Sequence, residues 1–194
     1  MVMVCVGLQT GCAKLKEGFQ SFGAASPRLL DSSPDTAGLL LLHVALRAKG
    51  SMTLGLGASI GLDGAILVRA DTNAMIAEGS LKEMVLFQLP PGTYRLAAVR
   101  GWAMVGNTPR QYLYSGVDSV VGPMQVSAGQ ITYIGHLSIT EHSRAFRTAV
   151  TYTYEWDRDP AREADALRIL EQRYKNSPWI PMVRNRLGAL PPER

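Results

Sequence analysis

From residue 37 to residue 156 the apolar positions recur at every second residue, the period of a pleated strand. The strongest run is Ala37–Ala48. Leu40, Leu42, Val44 and Leu46 fall on one face, and Leu39, Leu41, His43, Ala45 and Arg47 on the other. Both faces begin apolar, so this strand is expected to be covered on both sides in its first half. Thr53–Val68, Ala74–Ala77, Met84–Leu89, Thr93–Val105, Gln111–Tyr114, Val120–Val126, Gln130–Thr140 and Ala145–Trp156 read as further strands. In the last, Val150, Tyr152, Tyr154 and Trp156 alternate with Thr151, Thr153 and Glu155, as on a half-buried strand. Asp63-Gly64 reads as a hairpin turn.

Near residue 157 the period lengthens. Asp159 can cap a helix with Pro160 at its first position. Ala164, Leu167, Leu170 and Tyr174 then form a helical stripe. Ser177-Pro178 repeats the start signal, and Ile180, Val183 and Leu187 mark a second, shorter helix stopping at Gly188. Trp179 is expected to wedge between helices and sheet. The predicted architecture is mainly β: an antiparallel β-sandwich of about 7–9 strands with a C-terminal helical pair packed on it. The divisions are a leader-like segment at 1–12, a polar lead-in or tether at 13–36, the sandwich at 37–156 and the helices at 157–190.

The centre of the pattern is Leu89-Pro90-Pro91-Gly92-Thr93-Tyr94. The prolines remove ladder donors and end one strand. Gly92 lets the chain turn, so the flanking strands are expected to form a hairpin. Tyr94 is placed to bury its ring and send its hydroxyl to a backbone group near the turn. A strand, Pro-Gly-x-Tyr and a strand resemble the carboxypeptidase-regulatory-like and transthyretin-like β-sandwiches of bacterial envelope lipoproteins. Met124–Leu137, with its Ala128-Gly129 turn and Tyr133-Ile134-Gly135, agrees. The resemblance covers residues 37–154, implies a fold, and transfers no active site. The hydroxyisourate hydrolases share this architecture, but their C-terminal Tyr-Arg-Gly-Ser signature is absent here.

Charge adds little. The net charge is +4, and residues 37–150 carry nine Lys/Arg against six Asp/Glu without a cluster. That describes a solvated surface, so no nucleic-acid partner is expected. Cysteine usage says more. Both cysteines, Cys5 and Cys12, lie in the first twelve residues, and the body has none. An apolar stretch, then Gly11, then Cys12 resembles the end of a bacterial lipoprotein signal peptide, whose cysteine carries the lipid. Gln9 replaces the usual aliphatic residue, and a basic beginning is expected upstream of Met1. In that family, Ala13 after the cysteine favours sorting to the outer membrane. No stretch is long enough for a spanning helix. The expected location is the periplasmic face of the outer membrane, held by lipid at Cys12, with an envelope protein as a possible partner.

Candidate chemistry is sparse. Gly57-Ala58-Ser59-Ile60-Gly61 matches the Gly-x-Ser-x-Gly elbow, and Asp118 and His136 follow in triad order. The elbow needs a helix after the serine, whereas a turn and a strand follow here. Gly55, Gly57 and Gly61 lack the third glycine of a dinucleotide loop. His136, Glu141 and His142 are the nearest approach to a metal cluster; Glu141 and His142 are adjacent and point apart if extended, the two histidines lack a third ligand of evident spacing, and surface histidines are expected. His43 is a lone histidine on a strand. The reading is a non-catalytic binding, scaffold or accessory module with no cofactor and no metal. The alternatives are a serine hydrolase using Ser59 and an unlipidated, soluble ligand-binding sandwich.

Overall fold

The computed structural model describes residues 33–48, 60–81, 83–105, 108–143 and 151–191. The elements, in order, are β1 (Gly38–Ala48), β2 (Ile60–Arg69), β3 (Met75–Leu81), β4 (Met84–Leu89), β5 (Gly92–Val105) and β6 (Thr108–Ser115). After a short helix α1 (Asp118–Val121) come β7 (Pro123–Val126), β8 (Ile131–Ser143), β9 (Thr151–Asp157), α2 (Pro160–Arg173) and α3 (Ile180–Ala189).

The protein is mainly β with a C-terminal helical pair. The sheet is one path, β6-β5-β2-β3-β4-β1-β8-β9, with β7 added to β5. It curls like a half-barrel, and it is mixed. β1 runs antiparallel to β4 but parallel to β8. This parallel pair departs from the antiparallel sandwich that strand spacing suggested. The physical reason is burial: Leu39, Leu40, Leu41 and Leu42 are all fully buried, and a strand covered on both faces suits a parallel neighbour.

β1 separates two cores. Leu40, Leu42 and Val44 join Leu67, Val85, Phe87, Leu96, Tyr114, Leu137 and Tyr152 inside the curl. Leu39 and Leu41 join Met84, Leu86 and Tyr133 on the outer face, beneath Leu167, Leu170, Trp179 and Val183 of the helical layer. Trp179 is fully buried, as a wedge between helices and sheet must be. Asp159 caps α2, its Oδ1 accepting the Ala161 amide at 3.0 Å. Arg186 of α3 donates to the buried Glu163 of α2 at 2.7 and 3.3 Å, tying the helices together.

The Tyr94 hydroxyl donates to the Pro90 carbonyl at 2.8 Å, as expected. The strands beside that turn, however, do not form a hairpin. β4 pairs with β1 and β3, while β5 pairs with β2, β6 and β7. The prolines supply no ladder donors, so the chain crosses from one side of the curl to the other and Tyr94 fastens the crossing. Asp63-Gly64 is likewise no hairpin. The register shifts between Leu62 and Gly64, making a bulge within β2. A Cβ at Gly64 would land on the Glu78 carbonyl, so glycine is required there for close strand approach. The true β2–β3 turn holds Asn73 at φ 54°. The strand expected at Val120–Val126 divides into α1 and β7 because Gly122, at φ 73°, breaks it.

The ends of the curl are drawn together by side chains. The Tyr152 and Tyr154 hydroxyls of β9 donate to the Ser115 carbonyl of β6 at 3.3 and 2.6 Å. The Tyr114 hydroxyl of β6 donates to Glu141 of β8 at 2.5 Å.

Candidate functional site

The one concentration of titratable groups bridging sheet and helices among the described residues is built on the β1–β8 pair. The parallel register sets His43 beside His136. A bulge decides which way His136 faces. Leu41 pairs with Tyr133 and Leu42 with Gly135, leaving Ile134 as the extra residue. Strict alternation would send Tyr133 and His136 to opposite faces. The bulge returns both to the outer face, while Ile134 and Leu137 enter the inner core. Gly135 allows it, at φ 134°, where a Cβ would meet the Asp157 carbonyl.

The two imidazoles meet edge to edge, Nδ1 to Nδ1 at 2.8 Å, with ring centroids 4.9 Å apart. The Arg162 guanidinium, in the first turn of α2, lies 3.2 Å from the same His136 Nδ1. Arginine can only donate, so His136 Nδ1 is the acceptor of both contacts. His43 therefore carries its proton on Nδ1, and neutral His136 carries its own on Nε2. His43 Nε2 faces Glu83 at 3.7 Å from the β3–β4 turn. Arg162 also approaches the capping Asp159 at 3.6 Å, and Asp157 Oδ1 accepts the Asp159 amide at 3.2 Å.

Burial is the first cause that lowers both histidines below the usual imidazole range. For His43, Glu83 opposes the shift and Arg162 adds to it. For His136, Arg162 and then His43 add to it. Near pH 7 the pair is neutral, joined by one shared hydrogen bond. Its chemistry is proton uptake at His43 Nε2, the half-buried end beside Glu83.

The expected site residues are dispersed. Cys12 and Ser59 lie outside the described residues. Asp118 is exposed on α1, beside Val117 and Val121 of the inner core, whereas His136 bonds His43 and Arg162 on the outer face. Asp118 and His136 thus do not form the acid–base half of a triad. His136 is 3 % exposed and not a surface histidine. Glu141 turns to the face opposite His136 and bonds Tyr114, so these two do not converge. Among the described residues no three His, Cys, Asp or Glu side chains are placed to hold a metal. Arg162 was missed by sequence reasoning, since nothing local announces which strand its helix will cover.

The chain matches no protein-family model and no curated protein. Among solved structures it is similar to a leucine-rich repeat protein from Bacteroides thetaiotaomicron, at 15% identity and a TM-score of 0.35. That match covers 56% of this chain and 14% of the other. No helix among the described residues is long and apolar enough to cross a membrane.

Proposed function

We propose that the protein is a non-catalytic lipoprotein of the cell envelope, anchored by lipid at Cys12 on the periplasmic face of the outer membrane. There it acts as a binding, scaffold or accessory module. The observation that carries this reading is the apolar segment ending in Gly11-Cys12, followed by the polar stretch 13–36 that leads into β1. Such a stretch serves as a tether between a lipid and a folded domain. A cysteine-free body, whose strands need no disulfide, is compatible with it. The Tyr94–Pro90 bond supports kinship with the carboxypeptidase-regulatory-like and transthyretin-like folds, at the level of turn construction.

The test is the intact mass of protein expressed in a Gram-negative host from its genomic context, upstream DNA included. The expected mass is that of residues 12–194 plus a diacylglyceryl and an acyl group. An unmodified chain beginning at Met1 would refute the anchor.

A further inference from the structure

We propose that His43, His136 and Arg162 form an acid-sensitive latch that holds the N-terminal end of α2 on the sheet and releases it on protonation. One atom joins the three side chains. His136 Nδ1 accepts from both His43 Nδ1, at 2.8 Å, and Arg162, at 3.2 Å. It is the shared acceptor between β1, β8 and α2.

Two protons act differently there. The first goes to His43 Nε2, beside Glu83. It leaves the Nδ1 donor, and hence the latch, intact. A second proton must enter at His136 Nδ1. It removes the acceptor from both donors at once, sets two N–H groups head to head, and places an imidazolium against a guanidinium. The surroundings temper this without cancelling it. Glu83 at the β3–β4 turn, Asp157 on β9 and Asp165 on α2 favour the charged pair; Arg162 on α2 and Arg47 on β1 oppose it. Of these charged side chains, Arg162 is the one within hydrogen-bond distance of the shared nitrogen.

Release has a defined place. The helical layer is held elsewhere by Leu167, Leu170, Trp179 and Val183, which carry no titratable group. Acid therefore loosens the first turn of α2 before the rest, and uncovers the outer face near Tyr133.

The experiment is amide hydrogen exchange of the full chain from pH 7.5 to pH 5, corrected for intrinsic rates, beside NMR titration of the two imidazoles. Protection of the first turn of α2 is expected to fall about tenfold per pH unit once the open form binds one more proton. The inner strands β2 and β5 should hold theirs. In His136→Asn, whose Oδ1 is bonded to Cγ as Nδ1 is and so still accepts from Arg162, that protection should no longer depend on pH. Flat protection in the wild type, or the same acid loss in the variant, overturns the proposal. If the variant does not fold, the wild type decides: the fall in protection must continue below the first of two separated imidazole steps and level off only at the second, and levelling off at the first overturns it.

Discussion

Leucine-to-alanine substitution at positions 41 and 42 tests whether the two cores are separate. Both side chains are fully buried. Leu42 belongs to the inner core and Leu41 to the layer under the helices. Each substitution removes three carbons, a transfer loss of about 2.4 kcal/mol at about 0.8 kcal/mol per carbon. The cavity raises the total to about 3–5 kcal/mol. For a chain of this length each kcal/mol lowers Tm by about 2–4 °C, so each variant should melt roughly 10 °C lower. Denaturant and thermal unfolding measure this. The location of damage separates the two. Leu41→Ala should also speed limited proteolysis between α2 and α3, whereas Leu42→Ala should leave that site as protected as its global stability allows. An outer face open to water makes Leu41→Ala cheap. A cost below about 1 kcal/mol there, beside a full cost at Leu42, would refute the two-core reasoning.

Other outcomes follow from single contacts. Tyr94→Phe keeps the ring and loses the bond to Pro90; equilibrium unfolding should show a loss of about 1 kcal/mol, because Pro90 is exposed and water can replace the hydroxyl. Gly135→Ala should cost more than about 2 kcal/mol and disturb the His43–His136 contact, seen as shifted imidazole resonances. Arg186→Ala leaves the buried Glu163 carboxylate without that partner and should cost about 1–3 kcal/mol by urea titration. Because the folded state lowers both imidazoles, their contribution to stability is fully present above about pH 6.5 and is lost as pH falls through the folded values. Urea midpoints should therefore decline from pH 7 to pH 5, and His136→Asn should flatten that decline. At the alkaline end, burial raises the Tyr133 and Tyr174 hydroxyls, so stability should fall as pH rises above about 10, read by tyrosinate absorbance together with unfolding.

What the sequence disclosed was local. The doubled apolar faces of Leu39–Leu42, the Asp159-Pro160 cap, the stripe from Ala164 to Tyr174 and the reach of Tyr94 each depend on residues a few positions apart. What it hid was long-range or set by a single backbone irregularity. Pro90-Pro91-Gly92 specifies a change of direction but not which strands pair afterwards. Asp63-Gly64 suits a tight turn and a bulge equally, and only the approach of the Glu78 backbone selects the bulge. The candidate site fell in the second class. His43 and His136 meet only because β8 lies parallel to β1 and is offset by one residue at Ile134–Gly135. Period-two alternation has no means of showing such an offset.

The parallel strand pair also sets an order of events in time. His43 and His136 are 93 positions apart, so β1 cannot gain its second neighbour until β8 exists, nor its outer cover until α2 follows. Such distant pairing slows folding. Meanwhile the most apolar strand presents an unpaired edge to any other chain. Until β8 and the helices close over it, Leu39–Leu42 is the stretch most open to pairing with a second chain.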